Sequence, residues 1–138
     1  MIRRFDIADA PSVYETEKLC FPDPWSENGI RAEADNALGV SLVCEEDGII
    51  GYIFGDCDGA SSYISRIAVH PAHRRKGTAA ELMRIFMQLT SGDISLEVRQ
   101  ANTGAAAFYE KMGFERIALR KGFYSDPPDD AAVMILRR

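Results

Sequence analysis

The chain has 138 residues, 46% of them hydrophobic and 27% charged, with a formal net charge of −5 at pH 7. That length suits a single domain spanning residues 1–138 with a packed core, and the sequence contains no run of about 18 apolar residues to cross a membrane. The acidic balance speaks against nonspecific nucleic-acid binding, which depends on a broad basic face, and favours cationic partners.

Met1–Phe5 has the character of a short first strand, and Asp6 or Asp9 stands where a helix from about Ala8 to Lys18 needs its start. The opening Met1-Ile2-Arg3-Arg4-Phe5-Asp6 turns acidic before an apolar segment of signal-peptide length develops, so a cytoplasmic protein is expected. Cys20, Cys44 and Cys57 are an odd, sparse set, read as free thiols, of which only Cys20 is placed to approach a substrate. Pro22-Asp23-Pro24 interrupts the chain before Ser26 caps a second helix to about Asp35. Val40–Glu45 and Ile49–Cys57 flank Glu46-Asp47-Gly48, a hairpin signal. A turn at Asp58-Gly59-Ala60 leads into a strand from about Ser62 to Val69. Ala79, Leu82, Met83, Phe86 and Leu89 then form the apolar stripe of a third helix.

Ile94, Leu96 and Val98 alternate with Ser95, Glu97 and Arg99 as in a half-buried strand, so Glu97 leaves the core-facing row. Asn102 or Thr103 caps a fourth helix through Ala105–Tyr109, and Gly113 follows its end. Phe114–Leu119, a polar loop and Ala131–Leu136 complete the order β-α-α-β-β-β-α-β-α-β-β. Hairpins mixed with crossover helices require a mixed sheet covered by helices, an α/β (α+β) fold.

Two segments carry chemistry. From Ile67-Ala68-Val69 the chain passes through Pro71 into the cationic turn Arg74-Arg75-Lys76-Gly77 at the head of the third helix. The first N–H groups of that helix, at Thr78, Ala79 and Ala80, lack intrahelical partners and lie at the positive end of its dipole. Gly77 lets a ligand come close to the backbone. Alone, the segment reads equally as a pyrophosphate cradle and as a solvated basic turn. His70 and His73 lack further paired ligands and read as loop residues, so no metal is expected. The second segment pairs a carboxylate, Glu97, with a phenol, Tyr109, about two turns into the following helix. With Phe108 and Met112 taking the core-facing row, Tyr109 is free to share a cleft with Glu97 as acid and base.

Ile67-Ala68-Val69, the Arg74-x-x-Gly77-x-Ala79 turn, Leu96-Glu97-Val98-Arg99, Asn102 and Phe108-Tyr109-Glu110-Lys111-Met112-Gly113-Phe114 together resemble the GNAT acetyltransferases. Cys20-Phe21, Pro24-Trp25-Ser26, Arg120, Phe123-Tyr124 and Asp130-Ala131 make the chain most similar to the RimI-type branch, which acetylates the N-terminal alanine of a small-subunit ribosomal protein. Ala79 replaces a common glycine, a change that adds little bulk. Phe123 stands where a first Tyr is frequent, and Pro127-Pro128 stiffens the segment; both bear on peptide specificity more than on chemistry.

The resemblance implies that the Ser62–Val69 and Ile94–Val98 strands run parallel and splay apart, admitting acetyl-CoA between them. The coenzyme contacts it implies are Ile67, Ala68, Val69, Arg74, Arg75, Lys76, Gly77, Thr78, Ala79, Ala80 and Asn102, with pantetheine bonding to the backbone of Ile67 and Val69. Glu97 is the expected base, directly or through one water; the alternative is an ion pair with Arg99 or Arg120 on a solvated sheet face. Tyr109 is the expected acid for the departing thiolate; the alternative is an aromatic that merely packs. Backbone N–H groups near Val69 are expected to polarise the thioester carbonyl. The resemblance further implies that Trp25 and Tyr124 wall the acceptor entrance, where Asp126, Asp129 and Asp130 either draw in a cationic N-terminus or form a solvated acidic loop.

The expected partner is therefore the N-terminus of a basic ribosomal protein, with the enzyme a monomer or weak dimer. Two rival readings stay open: acetylation of another N-terminus, a lysine or a small-molecule amine, and a non-catalytic acyl-CoA-binding module. The second would lose the Glu97 and Tyr109 pair, which is present here. A phosphate-loop hydrolase would need a Gly-Lys-Ser/Thr sequence, which the chain lacks.

Overall fold

The computed structural model describes residues 1–138. Its strands are β1 (Ile2–Arg4), β2 (Gly39–Glu45), β3 (Ile49–Cys57), β4 (Ser61–Val69), β5 (Asp93–Arg99), β6 (Glu115–Ser125) and β7 (Pro128–Leu136). Its helices are α1 (Ala10–Cys20), α2 (Glu27–Ala32), α3 (Thr78–Leu89) and α4 (Thr103–Lys111). All strands join one sheet in the order β1-β2-β3-β4-β5-β7-β6, and every neighbouring pair is antiparallel except β4 and β5. The element order and the mixed, helix-covered sheet agree with the sequence expectation. No helix is long and apolar enough to cross a membrane.

Local chemistry explains most boundaries. The Asp6 side chain accepts from Ala8 N–H while Asp9 accepts from Asp6 N–H, a reciprocal capping box that starts a 3₁₀ turn at Ile7–Asp9 before α1 begins. Ser26 accepts from Gly29 N–H at the head of α2, which ends by tightening into a second 3₁₀ turn, Glu33–Asp35. Leu82, Met83 and Phe86 bury the inner stripe of α3 in a core shared with β2, β3, β5 and β7. The stripe is shifted from the one read in the sequence: Leu89 is exposed, and Thr78 is buried against Gly51 instead. A second apolar cluster on the opposite face joins Ala10, Val13 and Ile30 to Val43, Tyr52 and Phe54.

The largest departure is β6. The stretch expected to be a polar loop after Leu119 continues as strand to Ser125 and turns through Asp126-Pro127 directly into β7. As the terminal strand of the sheet, β6 is solvent-exposed on both faces except at Tyr124, so its side chains carry no inside-outside alternation for the sequence to display.

Candidate active site

β4 and β5 pair only over Ser61–Tyr63 with Asp93–Ser95. Beyond that point β4 stays with β3 as far as Val69, while β5 follows β7 from Ile94 to Arg99. The two strands therefore part and leave a cavity of about 510 Å³. Residues singled out in the sequence line it, among them Trp25, Ile67, Glu97, Asn102, Tyr109 and Tyr124.

The backbone of β4 is prepared on the open side. His70 N–H donates to Ile50 C=O across β3, and strand alternation then turns the peptide groups of Ile67 and Val69 toward the gap. Val69 C=O is engaged there by Arg74 Nε at 3.2 Å and by the Cys20 thiol at 3.5 Å. Ala68, by contrast, is buried in the second apolar cluster.

Arg74, Arg75, Lys76, Gly77, Thr78, Ala79 and Ala80 lie outside the cavity, at the head of α3. Gly77 is the N-cap in the left-handed region, φ 79°, and no side chain caps the helix, so its first N–H groups have no capping partner. A Cβ on Gly77 would meet nothing within 4 Å; glycine is required there by the backbone angle rather than by space. Arg75 also has positive φ, 67°. His70 Nδ1 accepts from Ala72 N–H, capping the short turn at Pro71–His73, and His73 Nδ1 lies 3.4 Å from Lys76 Nζ. Arg74, Arg75 and Lys76 lead from this turn to Gly77 and the N-terminus of α3.

Glu97 leaves the core row of β5, whose burial alternates strictly, and its side chain remains 12% exposed. The Tyr63 hydroxyl donates to Glu97 Oε2 at 2.5 Å, and Arg120 Nη1 sits 3.6 Å from Oε1. Arg99 pairs elsewhere, with Asp23 at 3.1 Å, and lies over the Tyr124 ring. Of the two ion pairs weighed for Glu97, only that with Arg120 forms.

Tyr109 corrects the assignment of faces on α4. It is the buried residue of that helix, 8% exposed and packed edge-on between Phe108 and Phe114, whereas Phe108 and Met112 are only half-buried. It nonetheless lines the cavity, and burial pushes its phenol above the usual tyrosine range. Asn102 accepts from Ala105 N–H at 3.1 Å and is the cap of α4. Asp129 and Asp130 are occupied as well: Asp129 accepts from Ala101 N–H, tying the β6–β7 hairpin to the turn before α4, and Asp130 accepts from Gly122 N–H within the hairpin. Asp126 remains exposed.

Several residues at the cavity were not legible beforehand. Tyr63 and Arg66 line it, and Glu17, fully buried on α1, receives the Arg66 guanidinium at 2.7 Å. A signal existed for Glu17, which sits at the helical spacing of Ala10 and Val13 on the apolar face. Tyr63 and Arg66 gave none, because a bulge near Ser65 shifts the β3–β4 register there.

The model of the acetyltransferase (GNAT) family matches residues 10–114. The chain is 33% identical over 141 residues to the putative ribosomal protein bS18-alanine N-acetyltransferase of Bacillus subtilis, covering 96% of this chain and 92% of that one. It is 31% identical over 144 residues to the ribosomal protein bS18-alanine N-acetyltransferase of Haemophilus ducreyi, covering 99% of both. The crystal structure of the ribosomal-protein-S18-alanine N-acetyltransferase from Escherichia coli superposes with a TM-score of 0.89 over 99% of this chain and 92% of that chain, at 24% identity, which is agreement of fold.

Proposed function

The chain belongs to the GNAT acetyltransferase family and is an acetyl-CoA-dependent N-acetyltransferase, and from that premise we propose that its acceptor is the N-terminal α-amine of a protein, an alanine of a small-subunit ribosomal protein in the first instance. The observation that carries the reading is the convergence of Glu97 and Tyr109 on the one cavity formed where β4 leaves β5. Acetyl-CoA supplies the acetyl group as a thioester.

The gap side of β4 offers the Ile67 peptide groups and the Val69 N–H to the coenzyme arm, and the open N-terminus of α3 with Arg75 and Lys76 offers its N–H groups and charge to the phosphates. Glu97 takes the proton of the incoming amine. An α-amine with pKa near 8 is already about 10% neutral at pH 7, so a positioned carboxylate suffices. Tyr63 and Arg120 hold that carboxylate in place from either side. Tyr109 gives its proton to the departing sulfur, for which a phenol kept protonated by burial is suited. Trp25 and Tyr124 face the cavity from the loop after α1 and from the β6–β7 hairpin, and form the walls for the peptide.

The test is incubation with acetyl-CoA and a panel of short peptides, locating the added acetyl group by mass spectrometry. Modification of the α-amine of an alanine-starting ribosomal peptide is the expected result. Modification confined to lysine side chains or to free polyamines overturns the assignment of the acceptor.

A further inference from the structure

The buried acid that the proposed chemistry leaves unused is Glu17. Its Oε1 accepts from the Tyr52 hydroxyl at 2.6 Å, and its Oε2 accepts from Trp25 N–H at 2.9 Å and from Arg66 Nε and Nη2 at 2.9 and 2.7 Å. Arg66 Nη2 also donates to Asp23 C=O at 3.0 Å. Its guanidinium lies 3.7 Å from the centroid of the Phe21 ring and 5.2 Å from that of Trp25. Acid and base together thus grip the chain on both sides of Pro24.

Besides this grip the segment has the Arg99–Asp23 ion pair at 3.1 Å and the packing of Phe21 and Trp25 on the second apolar cluster, but no backbone ladder. Pro22 and Pro24 have no N–H to donate, and no backbone group of residues 22–25 bonds to another backbone group. A buried ion pair is a poor source of stability, because desolvation offsets its attraction, but it does enforce one geometry on the groups it joins. Here the groups are α1, the middle of β4 and the loop that bears Trp25.

We propose that the Glu17–Arg66 pair is a positioning device that locks the Phe21–Trp25 wall against β4 and so sets the acceptor half of the cleft, without acting on the coenzyme half. The inference rests on the reading above that Trp25 faces the acceptor. Arg66 reaches into the cavity wall with a side chain only 12% exposed, and its partner is 1% exposed, so water does not compete for the pair. The coenzyme contacts proposed above are the backbone of Ile67 and Val69 and the head of α3, to which the side chains of the pair make no hydrogen bond.

Trp25 is the sole tryptophan, so intrinsic fluorescence isolates the loop. The variants are Glu17→Gln, which keeps the shape and removes the charge, and Arg66→Lys, which keeps the charge and removes the planar fork. In both, acrylamide quenching of Trp25 is expected to rise. The KM for the acceptor amine is expected to rise about tenfold while kcat and the calorimetric Kd for acetyl-CoA stay within about twofold.

Two results overturn the proposal: quenching and acceptor KM unchanged in Arg66→Lys, or acceptor KM and coenzyme Kd worsening in parallel, the mark of general structural damage. If Glu17→Gln does not fold by circular dichroism, Arg66→Lys alone decides. Should the wild type prove to acetylate only lysine, the proposed acceptor falls, while the quenching of Trp25 still judges the lock.

Discussion

The roles proposed for Glu97 and Tyr109 rest on different neighbours, and removing each side chain separates them. Glu97→Gln and Tyr109→Phe are each expected to slow turnover by roughly 10²–10⁴-fold while leaving the calorimetric affinity for acetyl-CoA nearly intact; a variant as fast as the parent removes that residue from proton transfer. The pH profile follows from the Tyr109 environment. Burial raises its phenol, and a raised acid stays protonated to higher pH, so the proton donor is retained on the alkaline side. The value of kcat/KM should climb as the acceptor amine loses its proton near pH 8 and show no decline below about pH 10. An alkaline limb in the range of pH 8–9 counts against Tyr109 as the acid. The orientation of Glu97 was readable from strand alternation alone, whereas that of Tyr109 was assigned from the wrong row. A nine-residue helix with three successive alanines before Phe108 has too weak a stripe to say which aromatic faces inward; the packing of Tyr109 on Phe114 decides it.

Elements with a sharp period were legible in the chain: α3, β5 and the β2–β3 hairpin fall within a residue or two of their expected bounds. β6 was legible only as far as Leu119; its continuation to Ser125 was not, because an edge strand wet on both faces has no burial period to read there. The Glu17–Arg66 pair was equally hidden, since its members lie 49 positions apart and meet only when α1 docks on β4. Packing between α3 and the sheet is close enough to predict a sharp intolerance. A Cβ on Gly55 would stand 2.5 Å from Tyr63 C=O and 2.6 Å from Phe86 Cε2. Gly55→Ala is expected to lower unfolding free energy by about 1–3 kcal/mol in urea titration; an unchanged midpoint shows that Phe86 yields without cost.

Across the whole molecule, a net charge of −5 coexists with a cationic turn at α3, where Arg74, Arg75 and Lys76 are exposed. Attraction of a polyphosphate to such exposed charges is screened over about 8 Å at physiological salt. Raising ionic strength from about 0.05 to 0.5 M should therefore weaken acetyl-CoA binding several-fold in calorimetry, and Arg75→Ala should flatten that dependence. A salt-independent Kd assigns the phosphate grip to the helix N–H groups alone.

The split between β4 and β5 has a consequence for how the fold breathes. The strands β1 to β4 and β5 to β7 are stitched together by pairing across only three rungs, Ser61–Tyr63 with Asp93–Ser95, and past these the Ile67 and Val69 amides face an unzipped seam. In hydrogen–deuterium exchange those two amides should trade their protons like a frayed margin, well ahead of Tyr52 and Ile53 in the adjoining β3. Saturation with acetyl-CoA should then slow them selectively if the coenzyme arm takes the place of the missing rung, as proposed.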